Sequence, residues 1–479
     1  MVVRAEQDRA EEASASCRIL LIKSCSNDPD WKQFHHPLGL MSIAAYLREK
    51  YHYEVKIEDI RISGNDRTGL ELLVRQYGPD FVGISALSFE SDAISWIAGS
   101  VKKVNTSIPV LLGGPHASAC PEKALEIPGI DYVVIGEGEA IAGQLIERLS
   151  EQRDISDIKG IVCKRENKTV STGRGDFIND LNALPMPAYD LIPIEAYGNF
   201  PRASRTGLGK YMSIFSSRGC PYRCIYCHNI FGKVFRWRSA ENLFNDIRHL
   251  YDTYNIRHFE FLDDIFNLDR DRLIRFCDLI INSSMKITLA FPNGLRGDIL
   301  DAQQLSKLQQ AGTIFIAFAI ETGSPRLQKL IKKNVQLSKI KENIEIAHSL
   351  RIHSHGFFMI GFPGETLEEM RMTVEFMVSS KLHSVALFVA MPFEGTELGT
   401  IAKETGKVPV SDFCLSYYTK GFVNLTDVPS MEVNRIRRRA LLRFYLNPLR
   451  VFVFVRDFPC KQELWKLVFV FFRRLQWRG

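Results

Sequence analysis

Two series of short apolar runs alternate with helical patterns, and they constrain the fold of this chain more than any other feature. The first series occupies residues 19–24, 54–60, 81–86, 110–114 and 132–137. Continuous apolar runs of this length are typical of strands that are buried on both faces. Because helix-like segments separate the runs, the order predicts a parallel, doubly wound α/β sheet of the Rossmann or flavodoxin-like type. We expect this domain at 17–150, after a polar tail at 1–16.

The second series begins after a change in character at 151–205. That segment contains a predicted hairpin and the string LNALPMPAYDLIP, whose three prolines discourage regular structure, so it is interpreted as a linker. Six further apolar runs then alternate with helical patterns, and they predict a partial (β/α)6 barrel at 206–400. In such barrels the chemistry gathers in the loops that follow the strands. A mainly helical segment is expected at 401–479.

The composition narrows the function classes. With 61 basic and 55 acidic side chains the net charge is +6, which gives no strong case for a nucleic-acid partner. Ten cysteines, scattered apart from one tight trio, suit a reducing compartment better than a secreted framework. The N-terminal segment lacks the apolar core of a signal peptide, and no apolar run approaches the roughly 18 residues of a membrane span. A cytoplasmic location is expected.

The tight trio consists of Cys220, Cys224 and Cys227, within SSRGCPYRCIYCHN, directly after the first barrel strand. A cubane iron–sulfur cluster takes one thiolate per iron, so three cysteines leave one iron open. The alternative is a zinc site completed by His228. Zinc ligands usually come from two separated knuckles, however, whereas these residues share one loop. The spacing therefore favours the cluster.

This pattern, C-x3-C-x-aromatic-C, resembles the radical S-adenosylmethionine (SAM) superfamily. The resemblance implies a [4Fe-4S] cluster whose open iron chelates SAM, and an electron from the cluster that cleaves SAM to a 5′-deoxyadenosyl radical. It continues through FLDDIF, AIETGS, FFMIGFPGET and MPFEGTEL, all at expected strand ends. An electron donor such as flavodoxin or ferredoxin is implied as a partner.

The resemblance also implies cofactor contacts in the barrel. Gly361, Pro363 and Gly364 should lie along the adenine, where glycine permits close approach of the backbone. The alternative is that this run is only a turn. Tyr226, inside the cysteine loop, should lie beside the cluster and shield it from water.

Three acidic residues at strand ends are candidates for catalysis. By the resemblance, Glu321 should face the cofactor or the substrate. Asp263 and Asp264 follow the second barrel strand and could bind substrate or move protons. They could equally cap the helix that follows.

The N-terminal domain resembles the cobalamin (B12)-binding domain that is fused to many radical SAM enzymes. The resemblance rests on HPLGLMSIAAYLREKYHYEVKIEDI, VLLGGPHAS and DYVVIGEGE. It implies that backbone near four glycines approaches the corrin or its nucleotide tail, namely Gly113, Gly114, Gly136 and Gly138. The alternative is an ordinary flavodoxin-like sheet with tight turns. The cobalt-ligating string D-x-H-x-x-G does not occur, so His35, His36 and His116 are not expected to bind cobalt.

Together the two resemblances imply a cobalamin-dependent radical SAM methyltransferase that acts on an unactivated carbon or phosphorus of a small-molecule or lipid-like biosynthetic substrate. One alternative is a radical oxidative cyclase or ring-rearranging enzyme of the anaerobic magnesium-protoporphyrin monomethyl ester cyclase type. Another is a cobalamin or iron–sulfur sensor without catalysis.

The C-terminal segment carries many arginines at 435–450, then apolar, aromatic-rich stretches at 451–455 and 464–477. A basic amphipathic helix of this kind can lie in a membrane interface, here the inner face of the membrane. It can instead pack on the barrel.

Overall fold

The computed structural model describes residues 17–26, 35–204, 209–407, 423–461 and 464. These residues form two compact units. The first contains 17–26, 37–179 and 183–193, and the second contains 35–36, 180–182 and the described residues from 194 onward. The polar tail at 1–16 and nearly all of the apolar stretch at 464–477 lie outside the described residues.

The first unit is built on a seven-stranded sheet with the order β2-β1-β3-β4-β5-β6-β7. Its first five strands are mutually parallel, which confirms the predicted doubly wound sheet. The strands are β1 (Arg18–Lys23), β2 (Glu54–Asp59), β3 (Phe81–Ser85), β4 (Val110–Gly113), β5 (Tyr132–Val134), β6 (Ile161–Arg165) and β7 (Lys168–Ser171).

Helices connect these strands. They are α1 (Leu38–Tyr51), α2 (Ile60–Ser63), α3 (Arg67–Tyr77), α4 (Ser91–Val104), α5 (Gly114–Ala119), α6 (Pro121–Leu125) and α7 (Gly138–Ser150). The core between sheet and helices contains fully buried aliphatic side chains such as Leu20, Val82, Ile94 and Leu112. Near-continuous apolar strands are what a sheet with helices on both faces requires.

The hairpin β6–β7 extends the first sheet. Tyr132 of β5 pairs antiparallel with Cys163 of β6, and β7 pairs in turn with β6. The hairpin itself was predicted from the sequence, but the whole segment 151–205 was assigned to a linker because three prolines follow the hairpin and discourage regular structure. The structure instead uses the hairpin to cover the edge of β5, whose backbone groups would otherwise lack partners.

The second unit is a six-stranded sheet with the sequential order β15-β14-β13-β12-β11-β8, and all of its pairings are parallel. This is the predicted arrangement of a partial barrel. Its strands are β8 (Met212–Ile214), β11 (His258–Phe261), β12 (Thr288–Leu295), β13 (Thr313–Glu321), β14 (His353–Ile360) and β15 (Ser384–Val389). A separate antiparallel ribbon of β9 (Ser217–Arg218) and β10 (Arg236–Trp237) follows β8.

Apart from α8, which precedes β8, the helices of the second unit follow the barrel strands and continue into the C-terminal segment. They are α8 (Ile194–Tyr197), α9 (Ala240–Tyr254), α10 (Arg270–Ile281), α11 (Ala302–Gln310), α12 (Pro325–Leu330), α13 (Leu337–Ser349), α14 (Leu367–Ser379), α15 (Glu397–Glu404), α16 (Ser430–Tyr445) and α17 (Pro448–Asp457). Within the described ranges, no helix is both long enough and apolar enough to cross a bilayer.

Candidate functional site

The cysteine loop begins directly after β8 and β9. The β9–β10 ribbon brings its two ends together, since Arg218 pairs with Arg236. Gly219, just before the first cysteine, has φ of +82°, and a Cβ atom there would lie 2.3 Å from the carbonyl oxygen of Val234. Only glycine fits this position. The loop geometry is therefore encoded next to Cys220, whose N–H donates to the Gly232 carbonyl at 3.4 Å.

The middle of the loop is fixed through Ile225, which is buried. Its N–H donates to the carbonyl of Ile331, and its own carbonyl accepts from Leu398 N–H at 2.8 Å. The thiol of Cys224 lies 3.8 Å from the carbonyl of Lys332. These contacts join the loop to the segments after two other barrel strands, so the cysteines are held by the barrel and not by the loop alone.

The three thiols lie close enough to influence one another. Burial raises the pKa of the Cys220 thiol, with smaller contributions from the charges of Asp264 and Cys224. Burial also raises the pKa of Cys227 to about 12, again with Asp264 and the other two cysteines adding to the shift. Thiolates crowded in this way need a compensating cation, which an iron–sulfur cluster supplies. The donor set therefore fits the cluster.

His228, the fourth ligand of the zinc alternative, lies beside an acid: its Nε2 atom is 3.5 Å from Asp264 Oδ1. Among the described residues, the three cysteines do not form a group whose ligand atoms all lie within 4.8 Å of one another.

Tyr226 lies against the glycine-rich segment after β14. Its ring centroid is 5.9 Å from that of Phe362, and burial, followed by the charge of Glu321, raises the pKa of Tyr226 well above its ordinary value. The structure thus brings the cysteine loop and residues 361–364 together.

Residues 361–366 form a turn around Glu365, which the sequence analysis did not single out. The carboxylate of Glu365 accepts from the N–H groups of Gly361 and Phe362. Burial raises the pKa of Glu365 to about 7. Glu365 directly follows Gly364 in the string GFPGE. This position, at the end of the glycine-containing turn, is the sequence signal that could have identified Glu365.

The two glycines of this turn have different roles. Gly361 has φ of +94°, and a Cβ atom there would lie 2.8 Å from Val389 Cγ1, whereas a Cβ at Gly364 would meet nothing within 4 Å. Gly361 is therefore required by the turn and its packing. The backbone at Gly364, next to Pro363, has open space that a ligand could use.

Asp263 is buried and joins strand ends. Its Oδ1 accepts from Ser216 N–H at 3.0 Å, from Ser216 Oγ at 2.8 Å, and from Ser217 Oγ. Burial raises its pKa, and the nearby Arg272 opposes that shift. The next helix, α10, is instead capped by Asp269. The capping alternative for Asp263 is therefore wrong, because Asp263 lies several residues before the helix begins.

The other two acids also have defined surroundings. Asp264 lies beside His228 and raises the pKa values of two cysteines, so it is adjacent to the thiols. Glu321 ends β13 with φ of +70° and is buried, with Lys333 Nζ 3.4 Å from its Oε1. Left-handed backbone at a buried non-glycine residue is strained, and such strain is concentrated at functional sites. Sequence analysis identified Glu321 but missed Lys333.

In the first unit, the four glycines divide into two pairs. A Cβ atom at Gly113 or Gly136 would meet nothing within 4 Å. A Cβ at Gly114 would lie 2.8 Å from Ser85 Oγ, and one at Gly138 would lie 2.8 Å from Ile43 Cδ1. Gly113 and Gly136 therefore leave open space after β4 and β5, whereas Gly114 and Gly138 serve internal packing.

The same sheet edge contains a buried ion pair that the sequence analysis missed. Lys23 ends β1, and its Nζ contacts Glu90 Oε2, with both side chains under 10% exposed. Burial lowers the pKa of Lys23 to about 8. Asp59, at the end of β2, pairs with Arg61 at 2.6 Å. The carboxyl edge of the sheet is thus lined by fixed charges as well as by open glycines.

The Nδ1 atoms of His36 and His116 each lie next to another polar or sulfur atom. His36 Nδ1 accepts from Ser213 N–H at 3.2 Å. His116 Nδ1 lies 3.5 Å from Cys120 Sγ.

Two family models match the chain. The model described as B12 binding domain matches residues 30–146, and the model described as Radical SAM superfamily matches residues 214–377. The first range covers most of the doubly wound sheet, and the second covers the cysteine loop and most of the barrel. The two models indicate SAM with its iron–sulfur cluster, and cobalamin, as the cofactors.

The chain is similar to methyltransferases along most of its length. It is 29% identical to an uncharacterized methyltransferase of Pyrococcus horikoshii over 415 residues, which cover 86% of this chain and 88% of the relative. It is 29% identical to cytidylyl-2-hydroxyethylphosphonate methyltransferase of Streptomyces wedmorensis over an alignment of 446 residues, with 81% of this chain and 82% of the relative covered.

The fold is also found in a solved structure. The radical SAM methyltransferase TsrM from Kitasatospora setae, solved with cobalamin and an iron–sulfur cluster bound, matches with a TM-score of 0.67 and 20% identity, over 82% of this chain and 76% of TsrM. At this identity the match shows a shared fold. The two family models and this shared fold show that the chain contains a B12-binding domain followed by a radical SAM domain.

Proposed function

We propose that this protein is a cobalamin-dependent radical SAM methyltransferase that methylates an unactivated carbon or a phosphorus centre of a biosynthetic substrate. The observation that carries the proposal is the presence, in one chain, of a three-thiol loop at the head of a barrel and a glycine-lined sheet edge in a B12-binding unit. The relative from Streptomyces wedmorensis, which is named a phosphonate methyltransferase, supports the same reaction class.

When bound, the two cofactors supply a substrate radical and a transferable methyl group, while the chain positions them and excludes water. Cys220, Cys224 and Cys227 would hold the cluster. Tyr226 and Phe362 shield it on one side, because their rings pack 5.9 Å apart beside the loop.

Other residues would fix the positions of SAM, the cysteine loop and the substrate. Glu365 holds the turn that leaves the Gly364 backbone accessible to the adenine of SAM. Asp263 ties the ends of two strands at the base of the cysteine loop. Glu321, with its carboxylate beside Lys333, is suited to bind an ammonium or hydroxyl group of cofactor or substrate.

The partners follow from this chemistry. The substrate would be a small molecule or a lipid-like compound, and a flavodoxin or ferredoxin would supply the electron. A cytoplasmic location suits both, because low-potential electron donors and reduced thiols persist there.

The experiment that tests methyl transfer does not need the substrate. The reconstituted protein is incubated with reduced cobalamin and SAM that carries carbon-13 in its methyl group, and the cobalamin is analysed by mass spectrometry. The proposal predicts labelled methylcobalamin and an equal amount of S-adenosylhomocysteine. The matched control is Gly113→Val, which should fill the open space at an extended backbone position and abolish the labelled product.

Two results would contradict the proposal. Formation of 5′-deoxyadenosine with no S-adenosylhomocysteine would favour the cyclase or rearrangement alternative. Binding of both cofactors with no turnover of SAM would favour a sensor.

A further inference from the structure

Helix α17 turns four of its apolar side chains outward. Leu449, Phe452 and Val455 recur every three residues and are 78%, 65% and 43% exposed, and Val451 is 47% exposed. A helix on the surface of a globular protein normally buries such a stripe and exposes polar residues. An exposed apolar stripe of this kind marks an interaction surface.

The orientation of α17 is fixed by polar contacts on its inner side. Arg450 donates to the carbonyls of Val378 and Leu382 at 2.8 and 2.6 Å. The buried Asp457 lies 3.2 Å from His383 Nε2. Because charged groups anchor the inner side, rolling the helix to bury its apolar side would leave these groups without partners, and that costs more than it gains.

The preceding helix, α16, presents a basic face. Arg435, Arg438 and Arg439 are exposed and share one side, with spacing of three and four residues. Arg438 and Arg439 make no ion pair within the part of the chain that the structure describes. Exposed apolar residues flank this face, with Met431 78% exposed at one end and Leu446 64% exposed at the other.

The charge is concentrated in this segment. Residues 423–461 contain eight basic and three acidic side chains, a net charge of +5, whereas the whole chain has a net charge of +6. Basic side chains beside exposed leucine and phenylalanine are the combination that binds the interface of an anionic bilayer.

We propose that α16 and α17 form a docking surface for an anionic lipid bilayer. The α16 arginines contact lipid phosphates, and Leu449 and Phe452 insert at the boundary between headgroups and acyl chains. The chain lies on the membrane without crossing it, which agrees with the lack of a spanning helix within the described ranges.

The charge distribution favours lipid over a second copy of the chain. Two copies that packed through this surface would bring their arginine faces together, and like charges at an interface are repulsive. An anionic bilayer instead offers opposite charge to the arginines and an apolar layer to Leu449 and Phe452 at the same time.

The test is sedimentation of the full-length, cofactor-loaded protein with vesicles. One set contains phosphatidylcholine with about one-third phosphatidylglycerol, and the other contains phosphatidylcholine alone; we expect roughly tenfold tighter binding to the anionic set, reduced by high salt. The Leu449→Ser, Phe452→Ser double variant should weaken binding to anionic vesicles by at least about tenfold. An Arg438→Gln, Arg439→Gln variant should lose the preference for anionic lipid.

The matched control is Leu72→Ser, an exposed leucine of α3 in the other unit, 54% exposed, which should bind vesicles like the wild type. Unchanged iron content in every variant shows that each is folded. Equal vesicle binding by the wild type and the Leu449→Ser, Phe452→Ser variant would overturn the proposal. So would a lipid-free dimer that this variant converts to a monomer, because the surface would then be a protein interface.

Discussion

Asp263 Oδ1 lies 2.8 Å from Ser216 Oγ, and this hydrogen bond joins the segments that follow two neighbouring barrel strands, β8 and β11. The same oxygen accepts from the Ser216 backbone and from Ser217 Oγ. Ser217 begins the ribbon that closes the cysteine loop. Asp263 therefore stabilises the loop through its hydrogen bond to Ser217.

Replacing Asp263 with alanine would leave the buried donors of Ser216 and Ser217 without an acceptor. We expect a loss of about 2 to 4 kcal/mol in the free energy of unfolding, since each buried unsatisfied group costs about 1 to 3 kcal/mol. Asp263→Asn keeps an acceptor oxygen and should lose less than half as much. Denaturant unfolding measures the loss of stability, and iron content after reconstitution measures whether the cysteine loop still holds the cluster. Equal losses in the two variants would show that the hydrogen bonds are not the cause.

Gly219→Ala should prevent the cysteine loop from forming. The new Cβ would lie 2.3 Å from the Val234 carbonyl, in addition to the strain of φ at +82°. The control is Gly64→Ala, where φ is +68° but nothing lies within 4 Å of the new atom, so only about 1 kcal/mol of strain is added. Iron content after reconstitution should fall severely in the first variant and stay normal in the second. Normal iron content in Gly219→Ala would contradict this account of the loop.

Glu365 should make stability depend on pH. Its pKa is about 7 in the folded protein because of burial, against 4.5 ordinarily, so the folded state binds the proton more tightly. The stabilisation is therefore full below pH 4.5 and is lost as the pH rises through 7, by up to about 3 kcal/mol.

Glu365→Gln removes this titration while keeping an oxygen for the N–H groups of Gly361 and Phe362. Between pH 5 and pH 8, its free energy of unfolding should rise relative to that of the wild type. If the free energy of unfolding changed with pH in the same way for the variant and the wild type, Glu365 would not titrate in this range.

Lys333→Met should leave the buried carboxylate of Glu321 without its cation. Breaking a buried pair costs about 3 to 5 kcal/mol, and adding Glu321→Gln should restore part of the loss. The control is Lys339→Met, because Lys339 pairs with Glu342 on the surface, where their side chains are 34% and 59% exposed. That change should cost under about 1 kcal/mol. Equal costs for the two lysine variants, measured by denaturant unfolding, would contradict the burial argument.

The strands and the cysteine trio could be predicted from sequence because their signals are local. Apolar runs of strand length indicated both parallel sheets, and the spacing of Cys220, Cys224 and Cys227 indicated the cluster. The hairpin at 161–171 was assigned to a linker, since nothing in its own sequence tells which sheet edge it covers.

The supporting residues of the site could not be predicted, because they act across long sequence separations. Ser216 meets Asp263 only when two strands are neighbours, and Lys333 reaches Glu321 only after a helix has turned the chain back. Likewise, the four glycines of the first unit look alike in sequence. Only the positions of Ser85 and Ile43 separate the packed pair from the open pair.

The central claim is that the three cysteines hold a cluster that cleaves SAM. The most direct test measures 5′-deoxyadenosine by mass spectrometry after reductant and SAM are added to the reconstituted protein. The variant with Cys220, Cys224 and Cys227 all changed to alanine is measured beside Cys460→Ala, whose cysteine lies outside the trio. We predict 5′-deoxyadenosine from the wild type and from Cys460→Ala, and none from the triple variant. Bound zinc in place of iron, with no SAM cleavage by the wild type, would contradict the claim.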